Sequence, residues 1–110
     1  MVVDDSKPFT VRLVSAIAQI TSIVVYYGGI NYNVYPGGEV SFAKGGDTFE
    51  IRVGVKNVGN EAAMITTLLR DAARTVDSYS QWFGVNQALV VTFMPIMPNN
   101  DWPLIVDVGH

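Results

Sequence analysis

Residues 47–60 read Asp-Thr-Phe-Glu-Ile-Arg-Val-Gly-Val-Lys-Asn-Val-Gly-Asn. Phe49, Ile51, Val53 and Val55 alternate with Thr48, Glu50, Arg52, Gly54 and Lys56. Successive side chains of a β-strand point to opposite faces, so this period of two sets one row in a core and the other toward water. The run stops at Asn57-Val58-Gly59-Asn60, where Asn and Gly tolerate the positive φ of a tight turn. Gly59 is therefore expected either to take a positive φ or to lie too close to neighbouring backbone for a Cβ. Asn57, Gly59 and Asn60 are the turn residues of the reading.

Similar punctuation recurs along the chain. Gly28-Gly29, Gly37-Gly38, Gly45-Gly46, Asp71, Gly84 to Gln87 and Pro98-Asn99-Asn100 separate short apolar segments, the pattern of an all-β sandwich or barrel. Strands are expected at 30–35, 39–43, 48–56, 63–70, 75–83, 88–94 and 103–108, with Leu89, Val91 and Phe93 facing inward. Met94-Pro95-Ile96-Met97-Pro98 should interrupt its ladder, since proline has no amide donor. Asp71-Ala72-Ala73-Arg74 reads as a polar hairpin.

The Val53-Gly-Val-Lys-Asn57-Val-Gly59-Asn60 run resembles the "V-x-V-x-N-x-G-N" signature in the second strand of CARDB-type and related immunoglobulin-like modules of prokaryotic surface proteins. The resemblance spans about residues 40–108 and implies an immunoglobulin-like antiparallel β-sandwich. Such modules usually close with one more strand after the one that Leu104-Ile105-Val106-Asp107-Val108 resembles, whereas here the sequence reaches His110. An unpaired edge is expected there, and edges recruit other strands.

The apolar N-terminal segment is the candidate recruit. We divide the chain into an extension, 1–28, and a sandwich domain, 29–110. Within 9–27, Phe9, Val11 and Leu13 alternate as in a strand, and Ile23-Val24-Val25-Tyr26-Tyr27 is rich in β-branched and aromatic residues. Leu13, Ala16, Ile17, Ile20 and Val24 also fall on one helical face, so both readings stay open, with strand preferred. Val11, Leu13, Val14, Ile17, Ile20, Ile23, Val24, Val25, Tyr26 and Tyr27 form the expected assembly interface. They are too apolar to remain in water, and a large part of the segment is expected to be buried by neighbouring chains.

Composition narrows the function classes. Charged residues are 15% of the 110, against roughly 25% in an average soluble domain. A charge-poor surface suggests cover by other molecules, most simply by copies of itself. The net charge of −3 and seven scattered Lys and Arg argue against nucleic acid, whose phosphates need a basic patch. Arg12, Ser15, Gln19, Thr21 and Ser22 interrupt residues 11–27, which argues against a span of about 20 apolar residues. No cysteine is present, so disulfides and thiolate metal sites are excluded. The start, Met1-Val2-Val3-Asp4-Asp5, is acidic where a signal peptide is basic.

No reaction chemistry stands out. The single histidine, His110, is the last residue, and nucleophilic catalysis needs a positioned base. Asp71, Asp77, Asp101 and Asp107 sit at or near turns, where Asp bonds to local backbone. Asn99, Asn100 and Asp101 offer oxygens but no acidic partner at calcium-ligand spacing. Tyr79, Trp82 and Trp102 would suit a sugar-stacking platform, although large aromatics more often anchor cores or interfaces. The expectation is a non-enzymatic structural subunit, without cofactor or metal, of a self-assembling virion or extracellular filament. The alternative is a monomeric carbohydrate- or protein-binding module from a cell surface.

Overall fold

A computed structural model describes residues 2–11, 15–35, 37–39 and 45–110. These residues form strands β1 (Ala18–Tyr27), β2 (Ile30–Asn33), β3 (Glu50–Asn57), β4 (Ala63–Arg70), β5 (Thr75–Phe83), β6 (Ala88–Phe93) and β7 (Ile105–Gly109), with no helix among them. A four-stranded sheet in the order β2-β1-β3-β6 packs on a three-stranded sheet in the order β5-β4-β7. Every strand pair is antiparallel. The chain is an all-β antiparallel sandwich of the immunoglobulin-like kind.

The decisive stretch forms β3, the inner strand that joins β1 to β6. Ile51 lies opposite Val25 on one side and Phe93 on the other, and Val53 opposite Ile23 and Val91. Apolar residues of three strands thus meet on one face. There Ile51, Val53, Val55, Val91 and Phe93 are buried against Ile65, Leu69 and Phe83 of the second sheet. Each contributes on the order of 1.5–3 kcal/mol through burial of its apolar surface. Leu89 is only half-buried at the end of this row. Glu50, Arg52 and Lys56 point outward but are half-buried too. The Arg52 guanidinium lies 4.8 Å from the Tyr26 ring centroid and pairs with Glu50 at 2.9 Å.

The turns follow their residue chemistry. Gly28 and Gly29 both have positive φ, 61° and 83°, as a two-residue β1–β2 hairpin requires. Asp71 accepts hydrogen bonds from the Ala73 and Arg74 amides at 2.8 Å each, closing the β4–β5 hairpin. Beyond β6 the ladder gives way to one isolated bridge, Thr48 to Ile96, as the flanking prolines dictate. The strand expected at 39–43 lies, beyond Glu39, outside the described residues.

The N-terminal segment needs three corrections. Residues 18–27 are strand, so the helical alternative does not apply to them. They are no appendage either: β1 pairs with both β2 and β3, and the boundary drawn after residue 28 falls inside the β1–β2 hairpin. Finally, Ile20, Ile23, Val25 and Tyr27 pack on the core of their own chain. The β-branched, alternating sequence of 23–27 is satisfied by its own sheet and needs no neighbour. Residues 2–11 are the part that stays outside the sandwich, all of them exposed.

Candidate assembly interface

Two features at opposite poles of the sandwich stand out, a rooted N-terminal arm and an open sheet edge. The root is built by the β3–β4 turn. Asn57 is fully buried, and its Oδ1 accepts hydrogen bonds from the Gly59 amide at 3.0 Å and the Ile17 amide at 3.3 Å. Its Nδ2 donates to the Glu61 carbonyl at 2.8 Å. Asn60 grips the same backbone from its far side: its Oδ1 accepts from the Ser15 amide at 2.8 Å, and its own amide donates to the Ser15 carbonyl at 3.0 Å. Asn60 is thus more than a turn former, because a shorter side chain loses its hold on Ser15.

Gly59 fits this root by closeness rather than by conformation. Its φ lies outside the left-handed region. A Cβ there would stand 2.4 Å from the Ser15 carbonyl oxygen, 2.6 Å from the Ile17 nitrogen and 2.8 Å from the Ala16 Cα. All three are backbone atoms, which cannot swing aside as a side chain would. Ala16 is buried at this contact.

Beyond the root, residues 2–11 carry four exposed apolar side chains, Val2, Val3, Phe9 and Val11, the last two 88% and 85% exposed. Among the described residues the arm's hydrogen bonds are local, from the Ser6 amide and the Lys7 Nζ to Asp5. The radius of gyration is 20.2 Å and the long axis 79 Å, whereas a compact chain of this length has a radius of about 13 Å. The arm therefore projects away from its own body.

The open edge belongs to β7. One side of β7 pairs with β4, from Arg70–Ile105 to Thr66–Gly109; no described strand pairs with the other. β7 crosses over β1, and β5 over β6, and among the described residues no strand lies beyond β7 in its own sheet. An open cleft of about 900 Å³ lies here, lined by Ile23, Val25, Phe49, Trp102, Leu104 and Val106 among others. Its wall is fixed by Trp102, which meets Phe49 edge-on at 6.4 Å and donates from Nε1 to Asp71 Oδ2 at 3.0 Å. That bond, followed by those from the Ala73 and Arg74 amides, holds the Asp71 carboxyl below its ordinary pKa. On the β1 side, the Tyr27 hydroxyl donates to Asp47 at 2.6 Å, and this bond to a carboxylate raises the Tyr27 pKa.

The residues expected at an interface divide between these environments. Val11 is on the arm and Ile17 at its root, both exposed. Val24 and Tyr26 lie on the outer face of β1, half-buried. Ile20, Ile23, Val25 and Tyr27 are on the core side, and Leu13 and Val14 lie outside the described residues. Phe9 was not in the expected set, although it heads the alternation with Val11. The aromatic trio is not assembled: Tyr79 and Trp82 stand three residues apart on β5, hence on opposite faces, and Trp102 is in the cleft wall. Among the described residues no three His, Asp or Glu side chains converge as a metal site, and no helix is long and apolar enough to cross a membrane. In comparisons with known proteins, no family model and no curated protein sequence matches the chain.

Proposed function

We propose that this chain is a structural subunit that polymerises with copies of itself, in a virion or an extracellular filament. The observation that carries this reading is the arm: residues 2–11 hold Phe9 and Val11 in solvent while their root is fixed to the sandwich by buried Asn57 and by Asn60. Exposed apolar side chains on a segment that its own domain does not use mark a surface meant for another molecule. Support comes from the charge-poor composition, 15% charged residues, which suits a surface covered by neighbours. The resemblance of residues 53–60 to CARDB-type modules fits a scaffold role on a cell or particle surface.

Size-exclusion chromatography with light scattering, run on the intact chain, tests the reading. Large polymers or closed shells are the expected result. A uniform monomer peak would favour the monomeric carbohydrate- or protein-binding module instead.

A further inference from the structure

We infer that the arm of one copy inserts as an additional strand beside β7 of the next copy and fills the cleft there. This inference rests on the self-assembly reading and deepens it by naming both partners of the contact.

Three observations choose this occupant. First, among the described residues β7, five residues long, has one edge that no strand pairs with. The cleft beside it is lined by Ile23 and Val25 of β1 and by Leu104 and Val106. A strand added there pairs its backbone with the open edge and lays alternate side chains in the cleft, as in β-augmentation. Second, the arm has the matching pattern. Phe9 and Val11 share one face of an extended chain, and the alternation continues in sequence to Leu13, spanning five residues like β7. Pro8, which has no amide donor, stands just outside this run, where a strand tolerates proline. The cleft side offers Val25, Phe49, Trp102, Leu104 and Val106, apolar and aromatic partners for Phe9.

Third, geometry makes the contact intermolecular. The arm is rooted at the end of β3, at Asn57 and Asn60. The cleft lies at the other end, beside Ile51, Leu69 and Trp102, and the arm projects away from the body. An arm at one pole and a slot at the opposite pole make a heterologous, head-to-tail contact. Such a contact closes into a ring or propagates as a filament.

The absence of cysteine permits a clean test. Val11→Cys is placed in one preparation and Val106→Cys in another, the two are mixed under assembly conditions, and a short bismaleimide is added. Val11→Cys chains should cross-link to Val106→Cys chains, and much less to chains carrying Ser78→Cys on exposed β5. Phe9→Asp should raise the concentration needed for polymerisation at least about tenfold, as loss of a buried aromatic anchor does, whereas Lys7→Ala should leave it within about twofold. Polymers that form with no preference of Val11→Cys for Val106→Cys would overturn the insertion and leave self-assembly standing. Failure of the intact, unsubstituted chain to polymerise at all would overturn both.

Discussion

Replacing Gly59 by alanine isolates how the arm is held. The new Cβ would meet backbone atoms of residues 15–17 at 2.4–2.8 Å, far inside van der Waals contact, so the root must move away from the turn. Movement breaks the two Ser15–Asn60 hydrogen bonds, the bond from the Ile17 amide to Asn57 and the bond from the Val58 amide to the Ile17 carbonyl. At about 1 kcal/mol net for each of these four bonds, the loss is about 4 kcal/mol. Exposing the buried methyl of Ala16 adds about 0.8 kcal/mol, for a total of about 4–5 kcal/mol. The φ of Gly59 contributes nothing, because it lies outside the left-handed region. The measurement is urea unfolding followed by tryptophan fluorescence, in the intact chain and in a variant lacking residues 2–17. In the truncated background the clashing atoms are gone, so Gly59→Ala should cost under about 1 kcal/mol, and the difference is the coupling between turn and root. An equal cost in both backgrounds would refute the reasoning, since the penalty would then arise within the turn itself.

Other perturbations probe the core and the cleft wall. Ile51→Ala should destabilise the fold by about 2–4 kcal/mol in the same urea assay, because Ile51 is 3% exposed between Val25 and Phe93. Thr67 is buried and its hydroxyl has no hydrogen-bond partner among the described residues, so Thr67→Val should raise stability by about 1 kcal/mol, seen as a higher urea midpoint with an unchanged slope. Asp71 has a depressed folded pKa, so its stabilising effect is full above the ordinary carboxylate pKa and is lost as pH falls through the depressed value. An acid titration should therefore show a change in tryptophan fluorescence below the usual carboxylate range, as the bond from Trp102 weakens, and Asp71→Asn should remove that step.

Most of the fold could be read from alternation and turn chemistry. The 47–60 stretch fixes its own register, because shifting it by one residue would bury Glu50 and Arg52 and expose Ile51 and Val53. The boundaries of β4 and β5 were legible because Asp71 and Gly84 flank them with residues that favour turns. The environment of the N-terminal segment was not legible. Ile23, Val24 and Val25 are apolar whether they meet their own sheet or a neighbour's, and no local signal tells the two apart. Pairing with β2 and β3 decides it, and that pairing is non-local. The role of Gly59 was legible only as a pair of alternatives, since crowding by residues 15–17 depends on how a distant segment returns. The open edge of β7 was foreshadowed by the incomplete strand complement, and β1 does not pair with it, because β1 lies in the opposite sheet between β2 and β3.

The central claim, that this chain polymerises through its N-terminal arm, is tested most directly by sedimentation velocity over a concentration series, comparing the intact chain with a Phe9→Asp/Val11→Asp variant. Both substituted side chains are fully outside the sandwich, so the variant should keep the fold and its urea midpoint. The account predicts large, concentration-dependent species for the intact chain and monomer for the variant. Monomer for both, or polymers of equal size for both, would contradict it.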